Sequence, residues 1–244
     1  MINSALPLGI EAEGISLDFE GKPVFQAMDF SILAGKFVGL LGQSGIGKTS
    51  LLKIIAGLLK PDKGKISGSD GKSLNGRIAY MAQQDLLFPW LDVIDNVCLG
   101  AKLRHEKKDY DKANELLEKV GLGSVQKQLP QTLSGGMRQR AAIARTLYED
   151  KPVVLMDEPF SALDAVTRAN IQELAVDLLK GKTVLLVTHD PSEAARLCHQ
   201  ILVLRNQPAE FMPPIIVGGT PPRNYDNKNR ITSETQLMHL LRGM

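Results

Sequence analysis

Four short apolar runs punctuate the chain: Phe37 to Leu41, Val153 to Met156, Val184 to Val187 and Ile201 to Leu204. Such runs, bounded by helical patterns, predict parallel strands covered on both faces. The segment from Gly9 to about Phe37 reads differently, because Ile15-to-Phe19 and Val24-to-Phe30 flank the turn composition Glu20-Gly21-Lys22-Pro23. That pattern predicts a small antiparallel sheet. Between about Asp85 and Asp150 no comparable run occurs, and Ala113, Leu116, Leu117 and Val120 recur at helical spacing, which predicts a helical insertion. Beyond Leu204 the pattern degrades into Pro208, Pro213, Pro214, Gly218, Gly219, Pro221 and Pro222, a tail closed by a helix from about Ser233 to Leu241. The division expected is an α/β core from residues 1–84 and 150–205, with the antiparallel β subdomain at its N-terminus. A helical subdomain occupies 85–149 and a C-terminal tail 206–244.

Composition narrows the function classes. The 29 Lys and Arg residues nearly cancel the 27 Asp and Glu residues, so no broad positive field draws the chain to nucleic acid. Cys98 and Cys198 lie far apart without metal-ligand spacing, as expected for reduced, packed thiols. Leu51 to Leu59, the most apolar stretch, is too short to cross a bilayer and contains Lys53. The N-terminus lacks an export signal, so the chain is expected to be soluble and to stay in the cytoplasm. The mixed-charge run Lys102 to Lys112 reads as a solvated helix face.

Gly42-Gln43-Ser44-Gly45-Ile46-Gly47-Lys48-Thr49 matches GxxxxGK[ST], follows the apolar strand Phe37 to Leu41 and precedes a predicted helix from Ser50 to Leu59. Glycines let the backbone curl tightly enough to aim successive N–H groups at phosphate oxygens, and the helix N-terminus adds positive potential. Lys48 supplies a point charge to the terminal phosphates, and the Thr49 hydroxyl is placed for Mg²⁺. ATP with Mg²⁺ is the nucleotide this loop implies.

The run Val153 to Met156 ends in Asp157-Glu158-Pro159, two carboxylates at the carboxyl end of a buried parallel strand, where open sheets bind ligands. Asp157 is placed to hold Mg²⁺, and Glu158 to orient the attacking water or take its proton. The strand Val184 to Val187 ends in Thr188-His189-Asp190, so His189 lies at the same sheet edge, suited to sense a γ-phosphate. Pro191 fits the first helical position, with Glu193 three residues after Asp190 as in a capping box. Leu133-Ser134-Gly135-Gly136-Met137-Arg138-Gln139-Arg140 opens a further helical pattern, with Ser134 able to cap it and two glycines leaving the amides bare. This second anion cradle implies either a second nucleotide or service to a partner's nucleotide.

Taken in order, GQSGIGKT, LSGGMRQR, VVLMDEP, SALD and the histidine resemble the ATP-binding subunits of ABC transporters over about Ile10 to Leu204. The resemblance implies a P-loop NTPase (RecA-like) core of mainly parallel strands, the small antiparallel β subdomain and the α-helical insertion. It also implies a head-to-tail pair with a second copy of the chain, burying two ATP. Ser134, Gly135 and Gly136 then touch the partner's ATP, and Gly42 through Ser50 hold the chain's own. Asp164 of SALD is placed at the dimer interface by resemblance, whereas its own residues read equally as the cap of the helix beginning at Ala165. Phe19 stands where the family places an adenine-stacking aromatic, and otherwise reads as a strand core residue. The family's metal-contacting Q-loop glutamine is Gln83 or Gln84; counting back from Pro89-Trp90, as in relatives reading Q-E-x-x-L-L-P-W, selects Gln83. A lone cassette containing Leu86-Leu87-Phe88-Pro89-Trp90 resembles the importer branch for nitrate, sulfonates, taurine and thiamine precursors, with Ala82-Gln83-Gln84-Asp85 leaning to the last. The branch implies a separate transmembrane permease, a solute-binding protein at one remove, and a place on the inner face of the cell membrane. The rival class is a soluble ABC ATPase, which long coiled-coil insertions or paired cassettes would mark.

Overall fold

The computed structural model describes residues 7–242, so the amino-terminal stretch read above for an export signal begins outside it. In chain order the elements are β1 Ile10–Phe19, β2 Lys22–Ile32, β3 Phe37–Leu41, α1 Lys48–Ile55, β4 Lys63–Gly68, β5 Ile78–Met81, α2 Val93–Val97, α3 Leu99–Leu103 and α4 Tyr110–Lys119. Then follow α5 Gly135–Tyr148, β6 Val153–Asp157, α6 Ala165–Leu178, β7 Thr183–Val187, α7 Pro191–Leu197, β8 Gln200–Arg205, β9 Glu210–Phe211, β10 Ile215–Ile216 and α8 Lys228–Arg242. The chain forms two compact units. One runs to Ile78 and adds Pro152–Asp157 and the residues from Lys180 onward; the other comprises Ala79–Lys151 and Glu158–Leu179.

In the first unit the sheet runs β10-β8-β3-β7-β6, with β9 on β8. β3 is parallel to both β7 and β8, and β6 is parallel to β7, pairing Asp157 with Val187 at its carboxyl end. Every residue of β3, β6 and β7 is buried, the reason these runs carry no polar alternation. Removing each such Leu or Val from water stabilises the fold by about 1.5–3 kcal/mol. A separate sheet, β2-β1-β4, is antiparallel, with the β1–β2 turn at Glu20-Gly21. The apolar pattern does not announce β4. It is an edge strand with exposed Lys63 and Lys65, the kind of charged edge that discourages further pairing.

The Pro-rich segment is more ordered than its composition suggests. β10 pairs antiparallel with β8, Phe211 meets Phe30 edge-on at 5.3 Å, and α8 packs against α7. In the second unit α2 and α4 pack against α5 around buried Ile94, Val97, Leu116, Leu117, Ala141 and Ile143. Acceptor side chains mark the helix starts there: Asp92, Asp109, Ser134 and Asp164 each accept a backbone N–H of the first turn. The Lys102–Lys112 run is mostly exposed.

Candidate functional site

The loop between β3 and α1 owes its shape to its glycines. Gly47 has φ 108, and a Cβ there would lie 2.6 Å from Val24 Cγ1 and 2.8 Å from Phe25 Cζ, so β2 packs against a bare backbone. Gly45 has φ 81, and a Cβ there would meet nothing within 4 Å, so glycine is a demand of conformation alone. Lys48, largely buried, folds its ammonium back onto the loop, donating to the carbonyls of Gly42 at 2.8 Å and Gln43 at 2.9 Å. A concavity of about 470 Å³ is lined by Gln43, Ser44, Gly45 and Ile46 together with Arg205, Asn206 and Gln207. Ile46 is half-buried in the loop and Ser50 lies in the first turn of α1. Phe19 is half exposed at the end of β1, which removes the core reading of that side chain.

Thr49 Oγ1 donates to Asp157 Oδ2 at 2.8 Å, bringing the loop hydroxyl to the buried carboxylate at the end of β6. Two oxygen donors of this kind, one anionic, suit a hard cation such as Mg²⁺. Asp157, the phosphate loop and His189 all stand at the carboxyl edge of the parallel strands β6, β3 and β7. His189 is exposed, and its neighbours bind it into a turn. Thr188 Oγ1 donates to Glu193 Oε2 at 2.8 Å, and Asp190 Oδ1 accepts from the N–H groups of Ser192 and Glu193. The capping box is therefore rearranged: the Asp190 N–H donates to Thr188 Oγ1, and Glu193 reaches that hydroxyl instead of the backbone, because Thr188 stands between them.

Within the second unit, Glu158 has φ 49, left-handed backbone that costs a non-glycine residue of order 1–3 kcal/mol and collects at functional positions. Gln83 Nε2 donates to Glu158 Oε2 at 3.2 Å, so of the two glutamines it is Gln83 that reaches the acid. Ser134 caps α5, its Oγ accepting from the Met137 N–H at 3.3 Å, and Ser134 and Gly135 are exposed. A Cβ at Gly135 would meet nothing closer than 3.9 Å, so the chain's own packing does not require glycine there. Gly136 is tighter, with the Ala162 carbonyl 3.3 Å from such a Cβ. Asp164 caps α6; the Thr167 N–H holds its carboxyl below the ordinary range.

Residues 25–161 match the ABC transporter family, more than half of the chain. The chain belongs to the ABC transporter family. It is 41% identical to an uncharacterised ABC transporter ATP-binding protein of Haemophilus influenzae, over 96% of this chain and 99% of that one. It is 44% identical to an aliphatic sulfonates import ATP-binding protein, SsuB 1, of Rhodococcus jostii, over 82% of this chain and 80% of the other. Among solved structures, a dimeric ATP-binding cassette in a post-hydrolysis state with ADP and Pi superposes with a TM-score of 0.76 at 28% identity, covering 86% of this chain and 99% of that one. As a member of this family the chain is an ATP-binding cassette with ATPase activity. No helix among the described residues is long and apolar enough to cross a membrane.

The cassette also contains supports whose contacts its sequence does not announce. Gln139, buried in α5, donates to the carbonyl of Pro159 at 2.8 Å and steadies the strained turn at Glu158. The residue stands within the Leu133–Arg140 stretch, but the stretch by itself does not say that its side chain turns inward. Arg138 binds the Asp85 carboxylate at 3.0 Å, while Arg145 donates to the carbonyls of Asp85 and Leu86. Asn96, fully buried, accepts from the Phe88 N–H at 2.7 Å and donates to the carbonyls of Phe88, Leu91 and Asp92. Together these fix the segment from Asp85 to Trp90, which presents Leu86 and Trp90 to solvent.

Proposed function

We propose that this chain is the ATPase subunit of an importer, working as a head-to-tail pair with a second copy on a separate transmembrane permease at the inner face of the cell membrane. A solute-binding protein delivers cargo to that permease. The observation that carries the reading is the alignment of phosphate loop, Asp157 and His189 at one edge of a parallel sheet, with Glu158 next in the chain. Kinship to SsuB, and to a taurine import ATP-binding protein, TauB, of Yersinia pestis bv. Antiqua at 39% identity over 83% of this chain, supports import. Both names favour sulfonate-type cargo over the thiamine precursors to which Ala82-Gln83-Gln84-Asp85 leans.

In this reading Gly42 through Thr49 and Ser50 cradle the phosphates of ATP, Lys48 turns from its loop carbonyls to the terminal phosphates, and Phe19 stacks on the adenine. Thr49, Asp157 and Gln83 would hold Mg²⁺, whose charge would offset that of the phosphate oxygens. Glu158 orients water for in-line attack on the γ-phosphorus and takes its proton as ADP leaves. His189 senses the γ-phosphate. Ser134, Gly135 and Gly136 bind the partner's ATP, a role supported by the open face at Gly135, and Asp164 stands at the pair's interface. The test is co-expression with candidate polytopic membrane proteins and affinity purification in detergent. A chain that hydrolyses ATP, yet recovers no such protein and restores no solute uptake in a strain deleted for it, is not an importer subunit.

A further inference from the structure

The largest fully buried side chain among the described residues is a cation, Arg223, in the Pro-rich segment beyond β10. Its guanidinium ends entirely on backbone carbonyls. Nη1 donates to Ala195 at 3.1 Å, Cys198 at 2.9 Å and Arg196 at 3.4 Å; Nη2 to Val217 at 2.7 Å and Gly219 at 3.0 Å; and Nε to Gly218 at 2.6 Å. Its own N–H adds a bond to the Arg196 carbonyl at 3.0 Å. Desolvating a guanidinium is costly, and burial lowers the proton affinity of this one, so it is kept only where its donors are all engaged. Half of the acceptors are the orphan carbonyls at the end of α7, where a cation also meets the negative end of the helix dipole. Arg223 thus clamps the C-terminus of α7 to the tail.

The other end of α7 begins two residues after His189. Both neighbours of His189 are bonded to its first turn, Thr188 through Glu193 and Asp190 through Ser192 and Glu193. One face of α7 lies directly on β3, since a Cβ at Gly39 would stand 3.1 Å from Cys198 Sγ and 3.6 Å from Ala194 Cβ. A seven-residue helix pinned on that face and clamped at its end has little freedom to tilt, and the turn holding His189 moves with it.

We propose that Arg223 is a positioning residue for His189, acting through α7, so that the tail beyond β8 serves catalysis. The proposal rests on the reading of His189 as the γ-phosphate sensor. Displacement of a reacting group by about 1 Å can cost about a hundredfold in rate, so partial loss of the clamp is expected to show in kcat while ATP binding by the phosphate loop persists.

The experiment is a kinetic cycle on the full chain with Arg223→Lys and Arg223→Gln, each in wild-type and His189→Ala backgrounds, assayed well below the melting transition. Arg223→Lys is expected to lower kcat about tenfold with KM for ATP within about twofold, and to change the residual rate of His189→Ala by less than about twofold. A fall by the same factor in both backgrounds makes Arg223 a stability element only and overturns the proposal. So does full activity of both Arg223 variants, or failure of both to fold. If His189→Ala alone keeps the wild-type rate, the sensor reading itself is wrong, a result visible before any Arg223 variant is made.

Discussion

Thr49 and Asp157 are 108 residues apart in sequence and joined by a hydrogen bond of 2.8 Å from hydroxyl to carboxylate. The bond pairs the end of the phosphate loop with the end of β6, the two places a strand-loop-helix and a buried strand deliver side chains to the same edge. Replacing Asp157 with Asn keeps the size and an oxygen but removes the negative charge proposed to hold Mg²⁺. The Mg²⁺ concentration giving half-maximal ATPase is expected to rise at least about tenfold, with the melting temperature little changed. An unaltered Mg²⁺ titration would remove Asp157 from the metal site.

Lys48→Ala tests the loop itself. The ammonium already sits at the loop, held by two carbonyls at 2.8 and 2.9 Å, so the charge is prepaid in position before nucleotide arrives. Its loss is expected to remove ATP affinity or turnover by several kcal/mol, about a hundredfold or more. Hydrolysis within about twofold of wild type would show that the phosphates bind elsewhere.

Legibility in the sequence followed how local the cause was. Gly45 and Gly47 are demanded by backbone conformation and close packing within one loop, so the phosphate motif could be read directly. The runs of β3, β6 and β7 are uniformly buried, and composition alone marks them. Ser134, Asp164 and Asp190 are caps whose partners lie within three residues. Where causes are distant the sequence is silent. β4 is a strand only because β1 pairs with it, and Arg223 looks like any tail arginine until its carbonyl partners are known.

Trp90, the single tryptophan, is 71% exposed and its ring lies 5.0 Å from that of Phe88. Asn96 holds this turn in shape from beneath, so the exposed ring is presented by a rigid loop. Exposed aromatic groups on ordered turns mark interaction sites. Trp90→Ala is expected to leave stability within about 0.5 kcal/mol, because little burial is lost, while weakening association with the permease by about thirtyfold. Unchanged recovery of the membrane protein in detergent pull-down, with the variant folded, would place the docking surface elsewhere.

Glu158→Gln separates binding from chemistry. The amide keeps the size of the carboxylate and can still contact Gln83, but it lacks the charge that the proposed role needs to polarise water and accept its proton. ATP should bind and persist. If each Ser134–Gly136 cradle closes on the partner's ATP, nucleotide makes contacts that exist only in the pair, and it shifts the monomer-dimer equilibrium by that differential affinity. On the proposed mechanism wild-type protein leaves the paired state by hydrolysis, and the variant is expected to remain in it. Sedimentation of Glu158→Gln with and without ATP is therefore expected to show an ATP-dependent dimer with turnover reduced at least about a hundredfold. Adding Ser134→Arg should abolish the dimer without restoring turnover, because a bulky cation then occupies the exposed cap of α5, the place proposed to receive the partner's phosphate. A Glu158→Gln protein that binds ATP and hydrolyses it at the wild-type rate overturns the catalytic assignment. One that is inactive but stays monomeric at high concentration keeps the acid and removes the pairing of isolated chains, leaving the permease as the element that brings two copies together.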